Sequence, residues 1–317
     1  MCKVAIIYGP QSSTYSFPNN HPMSGVRATS FWREISNRKL VQNEDLEIHE
    51  PLLASVKDLE LFHTPEYIEF VRKSSERGIG LLDKSDTPAF KGVYEASRYV
   101  VGSTLLGLDL VMSKKVDHAF NPIGGMHHAR SDSASGFCVF NDASISINQA
   151  KRKYKLIRIA YVDIDAHHGD GVFYPFYDDP EVFIADIHED GRYLFPGTGY
   201  EDEKGGGLAE GTKMAIPLKP YSGDEDFRKA FRLVETFLDE ARPQLIVFQC
   251  GGDGLEEDPI TQLKYTHTVH RYASDILHRL AHKHSEGRLL ALGGGGYNPD
   301  NTAKAWVDVV ESFKANL

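Results

Sequence analysis

Six short aliphatic-rich runs, spaced so that helices fit between most of them, constrain this chain more than any other feature. They are KVAIIY (3–8), DHAF (117–120), LIRIAYV (156–162), EVFIAD (181–186), QLIVFQ (244–249) and RLLAL (288–292). Several are apolar at consecutive positions, so both faces must be covered, as in parallel strands sandwiched by helices. Helical spacing lies between them. Val93, Ala96, Val100, Thr104, Leu108 and Val111 recur every three or four residues, as do Phe227, Phe231, Val234, Leu238 and Ala241, then Val269, Ala273, Ile276 and Leu280. The alternation predicts an α/β fold: a doubly wound, mainly parallel sheet flanked by helices. No internal repeat, low-complexity linker or compositional break divides the chain, so residues 1–317 are expected to form one domain.

Composition excludes several classes. At 41% hydrophobic residues the chain can bury a large core without disulfides. A net charge of −10 lacks the basic footprint of nucleic-acid binding. The three cysteines, Cys2, Cys138 and Cys250, have no paired spacing, which points to a reducing compartment. MCKVAIIY reads as a first strand rather than a signal peptide, and no apolar run approaches the ~20 residues of a membrane helix. A cytoplasmic protein is expected, with no direct nucleic-acid partner and no membrane. Its oligomeric state is open.

Four of the runs lead into turns rich in glycine and polar residues. DHAF precedes NPIGGMHHA, LIRIAYV precedes DIDAHHGDG, QLIVFQ precedes CGGDGLEEDP, and RLLAL precedes GGGGYNPD. Carboxyl ends of neighbouring parallel strands line one crevice, where ligands bind. The turns therefore can bring together His127, His128, Asp163, Asp165, His167, His168, Asp253 and Tyr297. Two long Gly-rich segments, 121–142 and 187–213, read as functional loops.

A lone Asp-x-His is commonly just a turn. Here Asp165 and His167 on one turn and Asp253 on another supply the three protein ligands of a catalytic divalent ion that keeps an open position. Zinc fits, and the oxygen-rich set also suits Fe(II), Mn(II) or Co(II). The tandem His127 and His128 offer a general base and an electrostatic partner. Tyr297, after Gly293 to Gly296, can aim a phenol at an oxyanion.

These residues, with HPM (21–23), HTPEYIEFV (63–71), DTPAFKGVYEAS (86–97), GGMHHARSDSASGFCVFND (124–142) and GRYLFPGTG (191–199), resemble the zinc-dependent histone deacetylase superfamily. That superfamily also contains acetylpolyamine amidohydrolases and acetoin-utilisation proteins, and GRYLFPGTG looks closest to the acetoin-utilisation branch. The resemblance implies the arginase/deacetylase fold, and zinc ligation by Asp165, His167 and Asp253. It implies His128 as general base, His127 as electrostatic partner and Tyr297 as the group polarising the acyl oxygen. Asp163 corresponds to a carboxylate associated with the tandem histidines and a structural potassium ion. Phe137 and Phe195 correspond to aromatic walls around an acyl-lysine stem, and Asp86 to a rim carboxylate holding the substrate backbone. Gly125, Gly136 and Gly295 correspond to backbone positions along the tunnel, and Arg27 to an arginine near an internal channel.

Two positions depart from the pattern. Asp186 stands where many relatives have a serine beside the potassium loop, which leaves that ion in question. Ile260 stands where polyamine-preferring relatives can carry a glutamate, which tilts the expectation toward acyl-lysine. The expected activity is removal of acetyl or other short acyl groups from lysine side chains of a protein or peptide. Deacetylation of an acetylpolyamine or other small acetylamine is the near alternative. A two-manganese ureohydrolase would want further carboxylates. A non-catalytic acyl-lysine reader would have lost a ligand, the tandem histidines or the tyrosine. His168, next to a ligand, is expected to point away and serve structurally.

Overall fold

Eight parallel strands form one sheet in the computed structural model, which describes residues 2–315. The strands are β1 (Val4–Ile7), β2 (Leu46–His49), β3 (His118–Asn121), β4 (Ile159–Asp163), β5 (Val182–Glu189), β6 (Lys213–Leu218), β7 (Leu245–Gln249) and β8 (Leu289–Leu292). Their spatial order is β2-β1-β3-β8-β7-β4-β5-β6, and every ladder is parallel. The six expected runs are all strands. The two strands the pattern did not announce, β2 and β6, are the sheet's edges, where one face meets solvent and the apolar run breaks up. β6 even carries Pro217, tolerated because an edge strand has a side with no ladder to complete.

The helices are α1 (Val26–Asn37), α2 (Val56–Leu59), α3 (Pro65–Arg77), α4 (Val93–Met112), α5 (Asp142–Tyr154), α6 (Asp170–Phe173), α7 (Asp224–Ala241), α8 (Thr268–His284) and α9 (Pro299–Phe313). Local chemistry sets several of their ends. Thr64 accepts from the Tyr67 N–H with Pro65 in the first turn of α3, and left-handed Gly78 ends that helix. Asn298 caps α9 in the same way, fixing the backbone immediately after Tyr297.

Alternation along the strands splits the core in two. Ile7, Ala119, Tyr161, Val247 and Leu290 face a layer built on α3, α4 and α5. Ile6, Phe120, Val162, Phe248 and Ala291 face α1, α7, α8 and α9, where Trp306 is fully buried. Both faces are covered, which explains the unbroken apolar runs. β5 continues to Glu189, so the second expected loop begins later than residue 187: Ile187, His188 and Glu189 are ladder residues against β6. No helix among the described residues is long and apolar enough to cross a membrane.

Sheet order explains where chemistry gathers. β3, β8, β7 and β4 are consecutive neighbours in the middle of the sheet. They are the four strands followed by the Gly-rich polar turns, so those turns share one crevice at the strands' carboxyl ends.

Candidate active site

The crevice holds a cavity of about 260 Å³. Its wall includes Asp86, His127, His128, Gly136, Phe137, Asp165, His167, Phe195, Ile260, Gly295 and Tyr297, all expected from the sequence. Asp163 and Asp253 lie just beneath the wall, fully buried. Phe137 and Phe195 are side walls: the Phe195 ring meets His128 edge-on at 5.0 Å, and Phe137 meets Tyr297 at 5.7 Å. Asp86 and Ile260 are at the exposed rim. Gly125 and Gly294 also line it, as do Met23, Met126, Cys138 and Leu194, which were not singled out as site residues in the sequence. They read there as ordinary core residues.

At the floor, one nitrogen and two carboxylates converge. His167 Nδ1 lies 3.1 Å from Asp165 Oδ1 and 3.0 Å from Asp253 Oδ2. These donors sit within 4.8 Å of one another, all on buried residues. β4 ends at Asp163, and the turn that follows delivers Asp165 and His167. Asp253 arrives on the turn after β7, and its Oδ1 accepts the Ala166 N–H at 2.8 Å, stitching the turns together. Asp165 Oδ2 accepts from the Gly295 N–H at 2.7 Å and from Gln249 Nε2 at 2.8 Å. Burial and the neighbouring Asp165 charge push the Asp253 carboxyl up to about 7. Burial would also raise Asp165, yet His127 and His167 hold it well below the usual carboxylate range. Two buried carboxylates facing one imidazole nitrogen fit a divalent cation, whose charge offsets their repulsion.

The tandem histidines are held separately. His127 Nδ1 is 2.8 Å from Asp163 Oδ2, and His128 Nδ1 is 2.8 Å from Asp170 Oδ1. Their Nε2 atoms lie 3.1 Å apart. Asp163 therefore reaches only one of the pair, and Asp170, a residue not singled out from the sequence, holds the other. Asp170 begins α6, whose single turn folds back under His128. The two rings are driven apart in basicity. Burial opposes the charge on His127, but Asp163 and Asp165 raise it to about 10. Burial and the adjacent His127 push His128 down to about 4, against the pull of Asp170. One imidazole is thus suited to carry charge and its neighbour to stay neutral.

Tyr297 is positioned through its backbone: its N–H donates to Asp258 Oδ2 at 2.7 Å. Arg27 secures the preceding loop, donating from Nε to the Gly296 carbonyl at 2.7 Å and from Nη2 to the Gly294 carbonyl. It also borders a small cavity with Tyr15, Met23 and Met126, behind the main one. Gly136 has φ +50°, and a Cβ there would lie 2.6 Å from His128 Cδ2 and 2.9 Å from the Phe195 ring. Gly125, also on the wall, has φ +91°.

His168 is absent from the wall. Its Nδ1 lies 2.9 Å from Thr198 Oγ1, and its ring packs on Phe173. The Asp186 carboxylate is occupied internally, accepting from Gly169 N–H at 2.9 Å and lying 2.7 Å from His188 Nδ1.

Comparison with known proteins finds relatives along nearly the whole chain. A family model described as the histone deacetylase domain matches residues 21–313. The acetoin utilization protein AcuC of Bacillus subtilis (strain 168) is 38% identical over 316 residues, covering 96% of this chain and 81% of that protein. AcuC of Staphylococcus aureus (strain MSSA476) is 34% identical over 306 residues, covering 93% and 77%. The crystal structure of the HDA15 HD domain superposes with a TM-score of 0.90 at 22% identity, covering 98% of this chain and 88% of that one.

Proposed function

Because the chain belongs to the histone deacetylase family, and is a deacetylase on that ground, we propose that it removes acetyl or other short acyl groups from lysine side chains of proteins, with zinc as its ion. The observation that carries this reading is the meeting, at one cavity, of three metal-type donors at its floor with two separately held histidines, a tyrosine and two phenyl walls. Asp165, His167 and Asp253 would hold the ion. When bound, it supplies Lewis-acid chemistry, polarising an amide carbonyl and acidifying water.

The chain's own residues do the rest. Asp170 keeps a proton on His128 Nδ1, which makes Nε2, beside His127 Nε2, the basic nitrogen of that ring. Nε2 takes a proton from the attacking water and returns it to the amine as the C–N bond breaks. His127, held by Asp163, sets the field beside that nitrogen. The Tyr297 hydroxyl donates to the oxyanion that forms when water adds to the carbonyl. Phe137 and Phe195 strip water from an aliphatic stem, leaving the backbone of a peptide at the rim beside Asp86.

Ile260 supports lysine over polyamine substrates. It is an apolar rim residue, 36% exposed, and offers no charge to a second ammonium group. The proposed setting is the cytoplasm. The test is turnover of acetyl-lysine peptides, longer acyl-lysine peptides and acetylpolyamines by purified protein whose metal content has been measured. Preference for acyl-lysine peptides is expected. A preference for acetylpolyamines by orders of magnitude would overturn the substrate. No turnover of any acyl amide with the ion in place would overturn the reaction.

A further inference from the structure

A second cluster of metal-type donors lies at the opposite end of the sheet from the crevice. Its members are Cys2, His118, His278 and His282, with one donor atom of each within 4.8 Å of the others. Strand register brings two of them together. Val4 of β1 pairs with His118, the first residue of β3, so the segment just ahead of β1 lies beside that histidine. His278 and His282 are four apart on α8 and therefore share one helical face, a spacing that suits two imidazoles on one ion.

Buried histidines in a core ordinarily find a carboxylate or a carbonyl for each nitrogen. His118 and His278 are 0% and 3% exposed, and they share a single contact, Nε2 to Nδ1 at 2.8 Å. Backbone groups of Asp117 and Gly287 lie by His118 and that of Ala315 by His278, but the other ring nitrogens, His118 Nδ1 and His278 Nε2, close no hydrogen bond of good geometry among the described residues. Cys2 Sγ lies 3.3 Å from His282 Nε2. The acidic neighbour Asp117 accepts from the Lys3 N–H and is not among the converging donors. Three imidazoles and a thiol thus converge, with no carboxylate among the converging donors.

We propose that Cys2, His118, His278 and His282 form a second, structural site for a borderline-soft tetrahedral cation of the zinc type. Tetrahedral zinc with nitrogen and sulfur ligands places its donors roughly 3.3–3.6 Å apart. Two of the six pairs lie at 2.8 and 3.3 Å and all lie within 4.8 Å, so the donors reach that geometry by side-chain adjustment. Binding takes the three imidazoles as neutral ligands and releases the Cys2 thiol proton to solvent as the sulfur–metal bond forms. The ion ties together residues separated by 280 positions, fixing the start of β1 to α8. It has no contact with substrate.

Cobalt(II) is the probe, because the catalytic donors Asp165, His167 and Asp253 contain no sulfur. A thiolate-to-cobalt charge-transfer band can therefore come only from the Cys2 cluster if cobalt is bound at these two sites. Full-length protein with any tag at the C-terminus is titrated anaerobically. The expected result is that band with tetrahedral d–d absorption, lost in Cys2→Ser, together with one equivalent of bound cobalt. His278→Ala should lose the same equivalent, and both variants should keep wild-type deacetylation. Zinc should raise the melting temperature of wild type more than that of Cys2→Ser. Folded wild-type protein that saturates with cobalt without a thiolate band overturns the proposal.

Discussion

Replacing Gly295 with alanine tests whether the two carboxylates at the cavity floor hold the ion. The Gly295 backbone does not occupy the left-handed region, so the effect is one of space alone. A Cβ built there lies 2.2 Å from Asp253 Oδ2 and 2.8 Å from Asp165 Oδ2, where ordinary contact begins at 3.4 Å. The first carboxylate must retreat by roughly 1 Å, a misplacement of the size that costs ~10²-fold in rate at a reacting centre. Neither carboxylate can move freely. Asp253 Oδ1 is fixed by the Ala166 N–H, and Asp165 Oδ2 by Gln249 and by the Gly295 N–H itself. Zinc affinity should fall by ~10–10²-fold, the usual cost of disturbing the shell around metal ligands. That is about 1.4–2.8 kcal/mol. The assay is zinc competition against a chromophoric chelator, read beside circular dichroism and turnover. Gly223→Ala is the control, since its Cβ would meet only the Lys264 carbonyl at 3.6 Å. Wild-type zinc affinity and turnover in folded Gly295→Ala would refute the ligand assignment.

Three further outcomes follow from the same geometry. Tyr297→Phe should keep its metal and lose ~10²–10³ in kcat, as when one oxyanion donor is removed; unchanged kcat would exclude that role. Asp170→Asn removes the charge behind His128 while keeping its shape. Losing a charge-assisted hydrogen bond of ~1.5–3 kcal/mol should lower kcat by ~10–10²-fold with little change in KM, measured on an acetyl-lysine peptide. Acid stability depends on His63, whose Nε2 accepts the Asn141 N–H at 2.9 Å and whose Nδ1 faces the Ser131 carbonyl. Burial holds it down to about 4. An unfolded histidine titrates near ~6.5, so between these values the unfolded chain binds more protons. Its contribution, roughly 3 kcal/mol, is therefore present above about pH 6.5 and lost as pH falls toward 4. The melting temperature should drop more steeply below pH 6.5 in wild type than in His63→Gln, and equal slopes would sink the assignment.

How much of this was legible depended on how local each signal is. The central strands announce themselves because burial on both faces demands consecutive apolar residues, as in LIVFQ of β7. Edge strands β2 and β6 are half-exposed and carry no such demand. Asp165 and His167 share one turn, and Asp253 follows a strand with the same Gly-rich grammar, so their convergence could be argued from topology. Asp170 stood in the same HHGDG stretch, yet its role depends on one turn of helix folding back under His128, which spacing does not reveal. Asp258 likewise reaches Tyr297 through a backbone N–H and leaves no side-chain pattern. The grouping of Cys2 with His118, His278 and His282 rests on a strand register and a helix crossing, and no local motif encodes either.

The sheet order carries a consequence for biogenesis. β7 and β8 are the last strands to leave the ribosome, yet they sit between β3 and β4. Until residues 245–292 emerge, β3 and β4 cannot both have their native neighbours, and each offers an unpaired edge to other chains. The contacts that close this gap join residues far apart in sequence, such as His118 with Leu289, so they form late and slowly. A nascent chain stalled before β7 is therefore the form of this protein most exposed to aggregation, and the one with greatest call on a chaperone.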